Sequence, residues 1–191
     1  MSVFDLLEGV YRKLRGAGPP SHGAKLLAEF GTEKSAGPLL DLGSGSGDQS
    51  VLLAGEGRKN IHLVDANGSV LRRAHRHPAL HRTIARAEAL PFKSLSFQGI
   101  FLIDVFHHVS DQEAALREIF RTLTPAGVVL IVEYHRSNPI IRIFFILSLL
   151  RRKRCSFLFP SELLALARRC GLQGAIMDSD GLRFTARLQK T

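Results

Sequence analysis

The chain has 191 residues, 45% of them hydrophobic, which is enough for one well-buried core, and nothing in its spacing asks for a second. Its 26 Lys and Arg outnumber 17 Asp and Glu, and the formal charge of +9 favours an anionic partner or surface without naming one. Only Cys155 and Cys170 are present, without C-x-x-C spacing, which argues against a disulfide framework or a zinc knuckle and makes a reducing, cytoplasmic setting the default.

The N-terminal stretch MSVFDLLEGVYRKLRG carries charges throughout and does not read as a secretory signal. The pattern predicts helices over 3–15 and 22–30, separated by the breaker run Gly16-Ala17-Gly18-Pro19-Pro20. PLLDLG (38–43) follows as a strand, then a glycine loop and a helix from Asp48 to about Gly55. IHLVDAN (61–67) reads as a short strand ending in an acid, with a basic helical segment after it from Ser69 to about His77. A short strand over about 83–86 precedes ALPF (89–92). FQGIFLIDV (97–105) is a strand, EAALREIFRTL (113–123) a helix and GVVLIVEYH (127–135) another strand. Strands alternating with helices imply crossover units and a mostly parallel sheet, and near-continuous apolar runs such as GIFLIDV and VVLIV fit strands covered on both faces.

The loop in LLDLGSGSGD (39–48) removes three side chains at alternate positions, Gly43, Gly45 and Gly47, where a first strand hands over to a helix. In open α/β sheets this is where the backbone approaches a cofactor, and an acid closing the second strand, here Asp65, is placed to hold ribose hydroxyls. These features indicate a ribonucleotide-like cofactor and leave NAD and other adenosine cofactors open.

An acid followed by G-x-G-x-G, here Asp41, Gly43, Gly45 and Gly47, resembles the signature of the class I S-adenosylmethionine-dependent methyltransferases. Within them the chain is similar to the small-molecule group that includes the ubiquinone/menaquinone C-methyltransferases. VDAN (64–67), AEALPF (87–92), SFQGIFLIDVFHHV (96–109), LREIFRTLTPAGVVLIVE (116–133) and FPSELLALARRCGL (159–172) follow in family order, so the resemblance covers about 36 to 188. It implies a Rossmann-like, doubly wound α/β fold, a mostly parallel sheet of about seven strands with an antiparallel C-terminal hairpin. It also implies a single domain over 1–191 with a helical appendage at 1–35, an acceptor-side insertion at about 136–158, and S-adenosyl-L-methionine as cofactor.

By the same resemblance, Gly43 and Gly45 leave room for the cofactor's methionine and ribose portions, in a loop completed by Ser44 and Gly47, and Asp41 helps to orient its amino group. Asp65 holds the ribose hydroxyls, Ala66 packs beside the adenine, Ala87 offers its backbone N–H to that ring and Glu88 stands at the rim. The backbone of Leu102 and Ile103 faces the methionine end. Arg86 departs from the family, which has an acid there to accept a hydrogen bond from the adenine amino group. A guanidinium cannot accept that bond, so either Arg86 swings outward or the amino group finds another partner. Gln98 likewise replaces a usual Asp, at a position that is structural.

Methyl transfer from a sulfonium asks mainly for in-line positioning, and for a base only when the acceptor must lose a proton. His107, His108 and His135 are the candidate bases, with packing under the sheet edge or capping of a backbone group as the competing readings for His107 and His108 and a loop surface for His135. Glu133 and Tyr134 leave the fifth strand on the same edge, and Asp104 lies near it with an open role. No metal site is expected: His75 and His77 do not share a helix face and no cysteine is near them.

The segment IIRIFFILSLLRRKR (140–154) is shorter than the roughly 20 apolar residues a membrane span needs and suits an interface. It reads as a lid docked on an anionic membrane surface through Arg151, Arg152, Lys153 and Arg154, as a homodimer contact, or as a core helix whose cations sit at its C-terminal dipole. The function favoured is methyl transfer to a small-molecule, hydrophobic or lipid-like acceptor. An RNA-modifying enzyme and a non-catalytic interaction module are the alternatives. Nucleic acid is the weaker partner, because no Asn-Pro-Pro-Tyr-like motif follows the fourth strand and stacking aromatics are few, with no Trp and two Tyr.

Overall fold

The computed structural model describes residues 21–30, 37–150, 155–179 and 181–191. The helix expected over 3–15 and the basic run 151–154 lie outside the described residues. Within them the strands are β1 (Leu39–Leu42), β2 (Ile61–Asp65), β3 (Leu80–Ile84), β4 (Phe97–Ile103), β5 (Leu123–Tyr134), β6 (Leu172–Ser179) and β7 (Arg183–Lys190). The helices are α1 (Ser21–Phe30), α2 (Asp48–Gly55), α3 (Gly68–Arg72), α4 (Gln112–Thr122), α5 (Pro139–Leu150) and α6 (Pro160–Arg169), with a single 3-10 turn at Phe106–His108.

The strands form one sheet in the order β3-β2-β1-β4-β5-β7-β6. The first five are parallel, and β7 runs antiparallel to both β5 and β6, which makes the C-terminal hairpin. This is the doubly wound sheet expected from the sequence. Because side chains alternate along a strand, neighbouring residues feed opposite layers. Leu40, Leu42, Ile100, Leu102, Val129 and Ile131 pack with Leu116 and Ile119 of α4 and Leu163 and Ala167 of α6. Leu39, Phe101 and Leu130 pack on the other face with Leu26 and Phe30 of α1 and Leu53 of α2. Burying both faces is what turns the central strands into continuous apolar runs.

Local chemistry sets the helix starts. Asn67 caps α3 by accepting from the backbone N–H groups of Ser69 and Val70, and Asp111 caps α4 by accepting from Ala114. Left-handed Gly47, at φ 78°, turns the loop into α2.

Three boundaries differ from the sequence reading. The basic helix ends at Arg72 instead of about His77, and the backbone N–H of His75 donates to Ser46 O of the glycine loop at 2.9 Å instead of continuing the helical ladder. The third strand is Leu80–Ile84, earlier than 83–86, and residues Arg86 and Ala89 make only an isolated bridge. The fifth strand begins at Leu123, not at Gly127, and so takes in Pro125; the pairing with β4 shifts register between Phe97 and Gly99, where a proline costs no ladder bond.

Candidate active site

The sheet order reverses between β1 and β4, and a cleft of about 420 Å³ opens at the carboxyl ends of the strands there. That is within the range of about 300–1,000 Å³ typical of small-ligand sites. Gly43, Gly45, Asp65, Ala66, Arg86, Ala87 and Glu88 line it, joined by residues the sequence did not single out for the cofactor, among them Asn67, Val105, His108 and Val109.

Two glycines of the loop are required for different reasons. Gly43, at φ 79°, passes so close to β4's exit that a Cβ would sit 2.2 Å from Val105 Cγ2. Gly45, at φ 55°, would direct a Cβ into space with no protein atom within 4 Å. Since Gly45 lines the cleft, its missing side chain leaves bare backbone facing the ligand space.

Asp65 is held from both sides. Its Oδ2 accepts from Gly45 N at 3.0 Å and its Oδ1 from Asn67 N at 2.7 Å, so the glycine loop and the lead into α3 fix the carboxylate. Each oxygen keeps a second lone pair for an incoming hydroxyl.

Asp41 stands apart from the lining residues. It is 5% exposed and accepts a 2.7 Å hydrogen bond from Ser50 Oγ of α2. Burial pushes its carboxyl up to about 7; the Ser50 bond opposes this, and the negative charges of Asp65 and Asp48 add to it. Ser44, Gly47, Leu102 and Ile103 also lie outside the lining, Leu102 as a core residue with 0% exposure. They form the frame on which the cleft is built.

Arg86 lies along the rim with its side chain 62% exposed, donating to Glu88 Oε1 at 2.9 Å. The same Glu88 oxygen accepts from the backbone N–H groups of Ser110 and Asp111 at 3.2 and 3.3 Å. Partial burial works to raise the Glu88 carboxyl, but backbone amides and the Arg86 guanidinium hold it below its ordinary range. The pair thus ties the 86–88 loop to the segment entering α4.

Behind the cleft, His107 is fully buried, with its Nδ1 2.7 Å from Glu133 Oε1. Glu133 also accepts from the backbone N–H of His107 at 2.9 Å and of Tyr134 at 2.7 Å. Its burial alone would raise the carboxyl, yet the adjoining His107 ring and these hydrogen bonds hold it low. An ionised carboxylate only accepts, so Nδ1 carries the proton of this bond, and in the neutral form of the ring Nε2 presents a lone pair. Nε2 is buried with no hydrogen-bond partner. The imidazole lies 4.0 Å from the His108 ring, centroid to centroid, and is stacked at 4.4 Å on Phe157. His108 lines the cleft, so His107 is one ring removed from it.

Asp104 and Tyr134 serve as struts. Asp104 adopts φ 53° and is paired through both oxygens with Arg183 Nε and Nη2 at 2.9 Å; Tyr134 Oη lies 3.2 Å from Asp104 and 3.0 Å from Arg183. This buried network clamps the exit of β4 to β7, and no local sequence signal pointed to Arg183. His135 is outside the cleft, with its Nδ1 2.6 Å from Ser137 Oγ and its ring against Phe184. His75 Nε2 lies 2.7 Å from Asp48 Oδ1, and His77 Nδ1 accepts from Ala79 N. Among the described residues no group of three or more His, Cys, Asp and Glu side chains is placed to hold a metal ion.

Comparison with known proteins agrees with this geometry. Residues 40–131 match a family model described as a methyltransferase domain. A ubiquinone/menaquinone biosynthesis C-methyltransferase of Vibrio cholerae is 34% identical over 113 residues, 54% of this chain and 42% of that enzyme. A phosphoethanolamine N-methyltransferase of Caenorhabditis elegans is 29% identical over 116 residues, 58% of this chain and 26% of that enzyme. The chain therefore spans less than half the length of these relatives. Among solved structures, a SAM-dependent methyltransferase from Aquifex aeolicus superposes with a TM-score of 0.71 at 18% identity, over 94% of this chain and 98% of its own. The YcgJ protein of Bacillus subtilis gives 0.70 at 19%, over 88% and 94%. Sheet order, glycine loop and family match coincide, with Asp65 placed at the end of β2 beside the loop: over residues 40–131 the chain carries a methyltransferase domain, and S-adenosylmethionine is the cofactor that this fold and domain imply.

Proposed function

We propose that the protein transfers a methyl group from S-adenosylmethionine to a small, hydrophobic acceptor, with His107 receiving the acceptor's proton. The observation that carries this reading is the pairing of an Asp65-anchored cofactor cleft with a buried His107–Glu133 dyad one ring away from it.

When bound, S-adenosylmethionine supplies a sulfonium methyl that is already activated for attack. The chain's own part is positioning and proton handling. Asp65 accepts from the ribose hydroxyls through its remaining lone pairs, bare backbone at Gly45 allows close approach, and the Ala87 side of the cleft takes the adenine. Glu133 holds the His107 ring by its Nδ1–H and stabilises the imidazolium formed when Nε2 takes a proton. Phe157 stacks on the face of the His107 ring, so an acceptor beside the imidazole lies against an apolar wall. An apolar molecule meets such a wall at least cost, which supports a hydrophobic acceptor. The relatives methylate carbon or nitrogen by their names, and the matched segment is the cofactor half, so acceptor class is read here from Phe157 and His107.

The test is transfer of labelled methyl groups to a panel of alkylated phenols and hydroquinones, short-chain amines and bulk tRNA. Labelling of an apolar acceptor, with the rate lowered about 10²–10⁴-fold in His107→Asn and its pH dependence lost, is expected for removal of a general base. Labelling of tRNA alone, or a His107→Asn rate equal to wild type, would overturn the reading.

A further inference from the structure

We infer that α5 and the groove beside it form a docking surface for an anionic phospholipid bilayer. α5 buries Ile141, at 1% exposure, against Tyr134 and Phe157, which fixes the helix on the domain. Its other side leaves Ile140, Ile143 and Ile146 at 40%, 47% and 56% exposure, and Phe159 stands nearby at 38%. The isoleucines recur every third residue, so they share one stripe of the helix. Beside them runs a groove of about 510 Å³ with a mixed wall: Ile146, Phe157 and Phe159 are apolar, and Arg136 and Arg142 are cationic.

Water is a poor partner for such a stripe, and the charges around it select what covers it. α5 contains one charged residue, Arg142, and no acid, and four consecutive bases, 151–154, follow it in the chain. Arg136 sits over the Phe159 ring at 5.1 Å, with its guanidinium 3.6 Å from Glu162 at the groove's edge. Apolar side chains flanked by cations match the boundary of a bilayer, where acyl chains lie beneath phosphates. A second copy of this chain would bring the same cations to the contact, which disfavours self-association. Nucleic acid would satisfy the bases and leave three isoleucines in water. Spanning is excluded for this helix: it has 12 residues, and among the described residues no helix is long and apolar enough to cross a membrane.

The surface is distinct from the cofactor cleft, and its role stands or falls separately from the methyl acceptor. One connection exists. Phe157, a wall of the groove, is also the ring stacked on His107, so a lipid chain entering the groove touches the cover of the proposed base.

The experiment is flotation of the full chain with vesicles of phosphatidylcholine alone or with phosphatidylglycerol, at low and high salt. The variants are Ile143→Ser with Ile146→Ser, Arg142→Glu, and Met177→Ser as a control that removes an apolar side chain exposed on β6. Calorimetry with S-adenosylhomocysteine on each preparation reports the cleft independently. Wild type and the Met177 control are expected to float with anionic vesicles and to be released by salt. Arg142→Glu should bind at least about fivefold more weakly, the ratio for one cation at an anionic surface. The isoleucine double variant should lose binding while retaining the cofactor. Equal flotation of the double variant, failure of wild type to bind anionic vesicles, or a dimer in solution broken by the same isoleucine changes would overturn the proposal.

Discussion

Replacing Asp41 by asparagine should change how stability responds to pH, because this carboxylate is ionised only at a cost. The residue is 5% exposed, its carboxylate accepts from Ser50, and Asp65 and Asp48 add negative charge around it. Burial is the leading cause that moves its carboxyl from about 3.8 to about 7 in the folded chain. The folded state therefore keeps a proton that the unfolded chain has already lost, and stability falls as pH rises between these two values. From pH 5 to pH 8 the loss comes to about 3 kcal/mol, taking about 1.4 kcal/mol for each pH unit over which the two states differ in protonation. An asparagine at this position would be neutral throughout and would still accept from Ser50. Urea unfolding of wild type and Asp41→Asn across pH 5, 6, 7 and 8 checks this. The variant should already be the more stable at pH 5, by about 1.5–2 kcal/mol, and the gap should widen by about 3 kcal/mol by pH 8. Parallel stability profiles would refute the assignment of the cost to Asp41, and a variant that lost stability on raising the pH more steeply than wild type would reverse its sign.

Asp65→Ala should abolish detectable binding of S-adenosylhomocysteine in calorimetry while leaving the far-ultraviolet dichroism unchanged, since its partners are loop amides outside the core. Gly43→Ala combines a left-handed penalty on the order of 1–2 kcal/mol with a Cβ placed 2.2 Å from Val105, so both the melting temperature and cofactor affinity should fall. Arg86→Ala should change S-adenosylhomocysteine affinity by less than about threefold, an order-of-magnitude expectation for an exposed ion pair worth at most about 1 kcal/mol; a hundredfold gain or loss would show that the guanidinium engages the ligand. Glu133→Ala leaves the Nδ1–H of His107 and two backbone N–H groups without their acceptor and should cost about 3–5 kcal/mol in urea unfolding, the range for breaking a buried pair.

Much of this was legible in the order of residues because it is local. The alternation of apolar runs and helical stripes determined a doubly wound sheet, since burying both faces of a strand removes polar residues from it. Gly43, Gly45 and Gly47 determined a loop with left-handed backbone, a conformation that few other residues adopt. Asp65 followed from its place at the end of a strand beside that loop. Tertiary structure decided the rest, because it depends on contacts between distant positions. Only packing revealed that Asp41 sits beneath the loop on Ser50 and not in the lining, that Arg86 leans on Glu88 along the rim, and that Asp104 is clamped by Arg183 from β7. His107 and Glu133 carry no shared motif, and the 2.7 Å bond between them exists because parallel β4 and β5 end side by side. The stripe of α5 divides the same way: its apolar character is in the sequence, but which isoleucines face water was fixed by Ile141 docking on Tyr134 and Phe157, a contact set by the β5 exit and the chain returning at 157.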